Sequence, residues 1–414
     1  MAIFKPFRAI RPLDTYVSQV ASKPYDVLDS TEAKEETAGN SLSFLHVVKP
    51  EIDLPENTNL YSQVVYEKGK ENFDKLRSNG VFLQDDVKSF YIYRLTMDGR
   101  SQTGVVGCCF FEEYYEGFIK KHELTRTVKE NDRVNHVKCL NANAEPVFFS
   151  YRGKDSIDNL VSEKILSEPI YNFHADDGIQ HELWLVSQSD DVRIIEEAFR
   201  EVPYLYVADG HHRTAAAARI GQKRKENNSN HTGLEEYNYF LAVLFPEHQL
   251  KIFDYNRVVK DLNGLSPEDF LKRLEDSFLV TKIEKADSRP RSIREFCLYM
   301  ECGWYRLLAK EGSWNTNDPV SDLDVTILSE QVLSPLLNIT DLRNDNRIDF
   351  VGGIRGLEEL EKRVDSGEMK AAFALYPVSM AQLLNIADAG EIMPPKTTWF
   401  EPKLRSGLFI HDLE

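Results

Sequence analysis

The stretch from Pro203 to Ala218, P-Y-L-Y-V-A-D-G-H-H-R-T-A-A-A-A, constrains this chain more than any other. Tyr204 to Val207 are aromatic, apolar and β-branched and predict a short buried strand. Asp209-Gly210 ends it, and Gly210, lacking Cβ, lets the backbone turn sharply or approach a ligand. The alanine-rich run Thr214 to Arg219 predicts a helix. Strand, tight turn and helix bring Asp209, His211, His212 and Arg213 to the turn. A helix N-terminus offers unpaired N–H groups and a partial positive charge, which suits a phosphate. Arg213 adds a planar fork for phosphate oxygens, so Gly210, His212, Arg213 and Thr214 form the expected cradle.

Around this stretch strands and helices alternate irregularly, which predicts an α+β fold. Leu42 to Val48 predicts a strand, Asn59 to Asn79 a helix, and Asp98-Gly99 a hairpin turn. Asn135 to Asn143 and Lys223 to Gly233 are polar and predict loops. Asp26, in the rigid turn K-P-Y-D-V, has two readings: a cap for the helix that begins at Ser30, or a carboxylate held beside the site. The segment Met393 to Gly407 carries three prolines, two lysines, an arginine and three hydroxyl residues. Trp399 and Phe400 favour burial, so this segment is expected to fold back as an anion-binding loop.

Charge and motifs exclude several classes. The formal charge of −17 over 414 residues disfavours nucleic acid and anionic membrane surfaces as partners. No run reaches the roughly 20 apolar residues of a membrane span, and Met1 to Tyr16 lacks a secretory signal pattern. Five cysteines, an odd number with no C-x-x-C, predict reduced core residues of a cytoplasmic protein. No P-loop, G-x-G-x-x-G, H-E-x-x-H or G-x-S-x-G signature is present. The dipeptides His122-Glu123 and His181-Glu182 lack the second histidine of a zinc helix. His211 and His212 are adjacent, so their side chains diverge and a metal shared between them is not expected.

D-G-H-H-R-x-x-A-A after a buried strand resembles the DUF1015 family of the ParB/sulfiredoxin-like superfamily, which includes free L-serine kinases. The blocks Lys23 to Val27, Asn40 to Pro55, Lys121 to Thr125 and Met393 to Gly407 are similar to family blocks, in the family's order. The resemblance implies a ParB/sulfiredoxin-like central portion over 151–260. It would be flanked by an N-terminal α/β portion over 1–150 and a C-terminal α/β portion over 261–414 whose tail closes the site. It also implies phosphoryl transfer from ATP, ADP or pyrophosphate, with Mg²⁺, to the hydroxyl of a small free amino acid, L-serine foremost.

Such chemistry needs a phosphate cradle, a carboxylate to take the hydroxyl proton, and cations for the charge. The carboxylate candidates are Asp209, Asp26, Glu123 and Glu182, with His211 and His212 beside them. Asp209 could instead hold Mg²⁺. Arg257, Lys396, Lys403 and Arg405 are the candidates for the substrate carboxylate or product phosphate. The competing reading is a ParB-like nucleotide-binding regulatory protein without turnover. A sulfiredoxin-like redox enzyme needs a cysteine at the turn, where His211 and His212 stand.

Overall fold

Phe90–Met97 and Arg100–Phe110 pair as a hairpin in the computed structural model, which describes residues 2–414. Asp98 and Gly99 connect them with φ of 51° and 75°, the left-handed turn that matches strand twist. The hairpin lies within a nine-stranded mixed sheet. Its order is Ile119–Lys120, Leu205–Asp209, Val147–Tyr151, Tyr239–Pro246, Arg100–Phe110, Phe90–Met97, Gln180–Val186 and Tyr171–His174, with Phe4–Lys5 paired to Arg100–Phe110. One face is closed by the helix Ser189–Arg200, whose Ile195, Ala198 and Phe199 share a core with Phe149, Val207 and Phe240. Ala217 and Ala218 of the helix His211–Asn227 join that core, the close approach that small side chains allow.

The chain forms two units, Met1–Leu250 with Pro402–Glu414, and Lys251–Glu401. In the first, the C-terminal residues run back through the unit. Ser406 bridges to Ser22, Ile410 to Ile10, and His411–Asp412 pairs with Ala142–Asn143. Phe409 packs on Tyr91 and Tyr93 with ring centroids 5.2 and 5.9 Å away. The second unit holds a six-stranded antiparallel sheet, ordered Phe278–Ile283, Gly303–Ala309, Glu295–Met300, Ala371–Ala374, Tyr255–Val259 and Ile348–Gly352. Leu360 and Val364 of the helix Glu358–Asp365 cover one of its faces, against Val258, Cys297 and Ala372.

Segregated sheets, one mixed and one antiparallel, make the fold α+β, as the irregular alternation predicts. Position 150 is not a boundary, because strands on either side of it pair in one sheet, Gln180–Val186 with Phe90–Met97. Several local expectations are corrected. Leu42–Val48 is not a strand: Leu45–Val48 is a helical turn that buries Leu45, Val47 and Val48 together, which an alternating strand could not do. The polar run from Asn135 continues the helix Thr127–Leu140, because His136 and Leu140 point into the core, and Asn141 ends it at φ 61°. The helix after Gly210 extends to Asn227. Asp26 caps nothing: Asp29 is the N-cap of Ser30–Glu36, in a reciprocal capping box with Glu32.

Among the described residues no helix is long and apolar enough to cross a membrane.

Candidate active site

Strand alternation would set Asp209 on the helix-packed face with Val207. A bulge prevents this. Val207 pairs with Phe149, but the register then shifts and Asp209 pairs with Phe148. Phe148 points to the opposite face, where it meets Phe245 at 4.6 Å between centroids. The bulge therefore turns Asp209 over, as bulges beside functional sites commonly do.

On that face Asp209 meets two cations. Lys403 Nζ donates to Oδ1 at 3.1 Å, and Arg213 Nη2 donates to Oδ2 at 2.9 Å. Burial raises the Asp209 pKa, but Lys403 and Arg213 outweigh it and hold the carboxyl down at about 2. Arg213 also donates from Nη1 to the Pro146 carbonyl at 2.8 Å and is only 7% exposed. Two donors of the fork expected to clamp a phosphate instead hold Asp209 and the backbone, while Nε is buried without a hydrogen-bond partner. Gly210 makes this arrangement fit. Its φ is 86°, and a Cβ there would lie 3.1–3.2 Å from the Arg213 guanidinium.

The helix starts at His211, so His211, His212 and Arg213 form its first turn, and no side chain caps it. The backbone N–H groups there remain suited to an anion. His211 is buried edge-on against His122, 4.5 Å between centroids, and its Nε2 has no hydrogen-bond partner. Burial, with His122 close by, holds the His211 pKa well below the usual value. His122 is pulled to about 4 by burial, which Asp209 and a bond with the Val207 backbone only partly offset. His212 Nε2 accepts the Arg126 N–H at 3.0 Å, so its own proton sits on Nδ1. Burial lowers its pKa, and the nearby Asp26 is the main opposing influence.

Asp26 stands exposed on the Pro24 turn, with no ion pair or hydrogen bond among the described residues. It is also the leading charge that raises the Arg213 pKa against burial. Tyr25, beside it, lies under Arg133 at 3.9 Å from ring to guanidinium. Glu145 ties this group together. It accepts from the Tyr25 N–H at 3.2 Å, Ser406 Oγ at 3.2 Å and Arg133 Nη1 at 3.3 Å. Sequence reasoning missed Glu145. Its signal was an acidic residue abutting the apolar run Pro146 to Phe149.

Thr214, Glu182 and Arg405 are engaged with other partners. Thr214 is fully buried and bonds back to the Gly210 carbonyl at 3.0 Å, so its hydroxyl faces no ligand. Glu182 is gripped by Arg94 through two bonds of 2.7 Å, on the face opposite His181. Glu123 follows His122 in a loop. Arg405 pairs with Asp177 and donates to His181 Nε2 at 3.4 Å. Arg257 and Lys396 belong to the second unit.

Asp209 is a poor fit for Mg²⁺. Both of its oxygens are held by cations, and among the described residues no cluster of three histidine, cysteine or acidic side chains is arranged for a metal. A phosphate fits better, at the uncapped helix start beside Lys403.

The fold and site thus define an α+β protein with a buried ionic cluster at a strand–helix turn. The family described as "Protein of unknown function (DUF1015)" matches residues 4–326, and the chain belongs to that family. Among solved structures, it is similar to a free serine kinase in complex with AMP, at 13% identity, 75% coverage of this chain, 91% of that chain and a TM-score of 0.37. It is similar to a conserved hypothetical protein from Pyrococcus furiosus, at 14% identity, coverages of 74% and 94%, and a TM-score of 0.35. SbnI with C-terminal truncation from Staphylococcus aureus matches at 10% identity, coverages of 73% and 85%, and a TM-score of 0.39. No curated protein matches the chain.

Proposed function

We propose that this chain transfers a phosphoryl group to the hydroxyl of a small free amino acid, with L-serine the favoured acceptor. The D-G-H-H-R block and its companion blocks supply the family resemblance behind this reading. The observation that carries it is the contrast between two carboxylates. Asp209 is locked by two cations and held at about 2, so it is a weak base. Asp26 is exposed and unpaired among the described residues, yet close enough to act on Arg213 and His212.

Asp26 is therefore the base that accepts the hydroxyl proton. Asp209 is a positioning residue that fixes Lys403 and Arg213 at the turn. The N–H groups of the first helical turn, with Lys403, receive phosphate oxygens. His212, neutral with its proton on Nδ1, is a hydrogen-bond donor for a bound acceptor. A nucleoside polyphosphate or pyrophosphate, when bound, supplies the phosphoryl group.

The test incubates purified protein with serine and each of ATP, ADP and pyrophosphate, and reads phosphoserine by mass spectrometry. One donor should give product, and Asp26→Asn should lower turnover on the order of 10²–10⁴-fold with nucleotide affinity nearly unchanged. No phosphorylated amino acid with any donor would overturn the reading. The lock on Asp209 favours a second one, a nucleotide-responsive binding protein without turnover. Nucleotide binding that serine leaves unchanged, with no product formed, would select it.

A further inference from the structure

The second unit contains a charged group that nothing balances. Arg257 lies on the Tyr255–Val259 strand, second from the edge of the six-stranded sheet, and is 1% exposed. Its cross-strand neighbours are Phe350 and Phe373. The guanidinium sits 5.3 Å from the Phe350 ring centre. Nη1 donates to the Tyr255 carbonyl. The Nε–Nη2 edge donates to nothing among the described residues, and Nη2 is buried without a partner. No carboxylate acts on it; burial lowers its pKa to about 10, which leaves it charged at neutral pH. A buried, unpaired charge is costly, and proteins keep one where something else completes it.

The edge left open is the one that grips two oxygens of a single oxyanion side-on. The surroundings extend the pattern. Tyr255 shares the face of Arg257 by strand alternation. Lys396 Nζ stands over the Tyr255 ring at 5.5 Å from its centre, from a backbone with φ of 59° that a lysine seldom adopts. Trp399 packs edge-on to Tyr255 at 5.1 Å between centroids and fills the space over Gly352, where a Cβ would lie 3.0 Å from the indole. A second cation and an aromatic ring therefore meet at Tyr255, the neighbour of Arg257 on this strand face, all within Lys251–Glu401.

We infer that the second unit carries its own binding site for a small oxyanion, a phosphate or carboxylate group held side-on by Arg257 with Lys396 as the outer cation. All of its residues belong to the second unit, and the proposal does not rest on phosphoryl transfer.

The experiment is thermal unfolding of the full chain with inorganic phosphate or with acetate, each against chloride at matched ionic strength. Phosphate and acetate arms tell a phosphate ligand from a carboxylate one, and a response in either supports the site. The variants are Arg257→Met, Arg257→Lys and the surface change Lys396→Ala. Without oxyanion, Arg257→Met should unfold at or above the wild-type temperature, because it removes an unbalanced buried charge. With oxyanion, the wild type should gain about 2–4 °C over that variant. Arg257→Lys, which keeps charge but not the fork, should lose most of the gain, and Lys396→Ala part of it. A wild type whose response to both oxyanions equals that of Arg257→Lys and Lys396→Ala overturns the proposal. So does an Arg257→Met chain that is destabilised equally with and without oxyanion, the mark of a purely structural arginine.

Discussion

Lys403 and Asp209, 194 positions apart in sequence, form an ion pair of 3.1 Å. Asp209 is thus ionised far below the ordinary carboxylate range, with Arg213 on its other oxygen. A carboxyl depressed in the folded state contributes stability that is present above about pH 4. That stability is lost as pH falls toward 2. Lys403→Met should therefore lower stability at pH 7 by about 1–2 kcal/mol, with the deficit shrinking toward pH 2. Urea midpoints of both proteins at pH 7 and pH 2.5 measure this. An equal deficit at both values would mean that Lys403 acts through its stem and not its charge.

Four buried histidines resist protonation in the folded chain. Burial lowers His122 and His136 to about 4, His181 to about 3, and His211 well below its usual value. Each takes up its proton only on unfolding. Below about pH 6.5 the unfolded state therefore binds more protons, and stability falls as pH falls. Each of the four adds up to about 1.4 kcal/mol per pH unit near pH 5, opposed by Glu113 and Asp324, which burial raises to about 7 and which take up protons in the folded chain. Denaturation curves at pH 7.5, 6.0 and 5.0 give the slope, and replacing His181 with Asn should flatten it. A slope that the His181 replacement leaves unchanged contradicts the burial of a neutral imidazole there.

Gly210→Ala tests how the turn is built. The substitution meets both a left-handed backbone and the Arg213 guanidinium, so a loss of about 1–3 kcal/mol is expected. Phosphoserine formation should fall more steeply than stability, because displacing Arg213 frees Asp209. Chemical denaturation and turnover on the same preparation separate the two.

Arg213→Lys keeps one positive charge but cannot reach both Asp209 and the Pro146 carbonyl. Stability should drop by about 1–3 kcal/mol, and turnover should drop with it. A variant with unchanged stability and lost nucleotide affinity would restore the direct phosphate clamp that the sequence implies.

Much of the frame was legible because local chemistry and burial agree. The Asp98-Gly99 hairpin, the strand ahead of Gly210 and the helix after it all appear. Leu42 to Val48 misleads because its apolar residues satisfy both a strand and a helical turn, and packing decides. Asn135 to Leu140 misleads because polarity on one helical face imitates a loop. In the site, the turn and its residues could be read from the motif, but their division of labour could not. Whether Arg213 faces a ligand or Asp209 depends on a one-residue bulge and on a lysine from the far end of the chain. Neither leaves a periodic signal. Glu145 shows in the sequence only as an acidic residue beside an apolar run, and its role does not, since its partners Tyr25, Arg133 and Ser406 come from three distant segments.

The return of Pro402–Glu414 to the first unit also sets an order in time. Asp209 leaves the ribosome 194 residues before its counter-ion Lys403. At typical synthesis speeds that interval is roughly 10–40 s. During it the sheet can form, but the segment carrying Ser406, Phe409 and Ile410 is missing from its core, and Asp209 has only Arg213. Completion of the ionic cluster thus waits until the segment from Pro402 onward has been made.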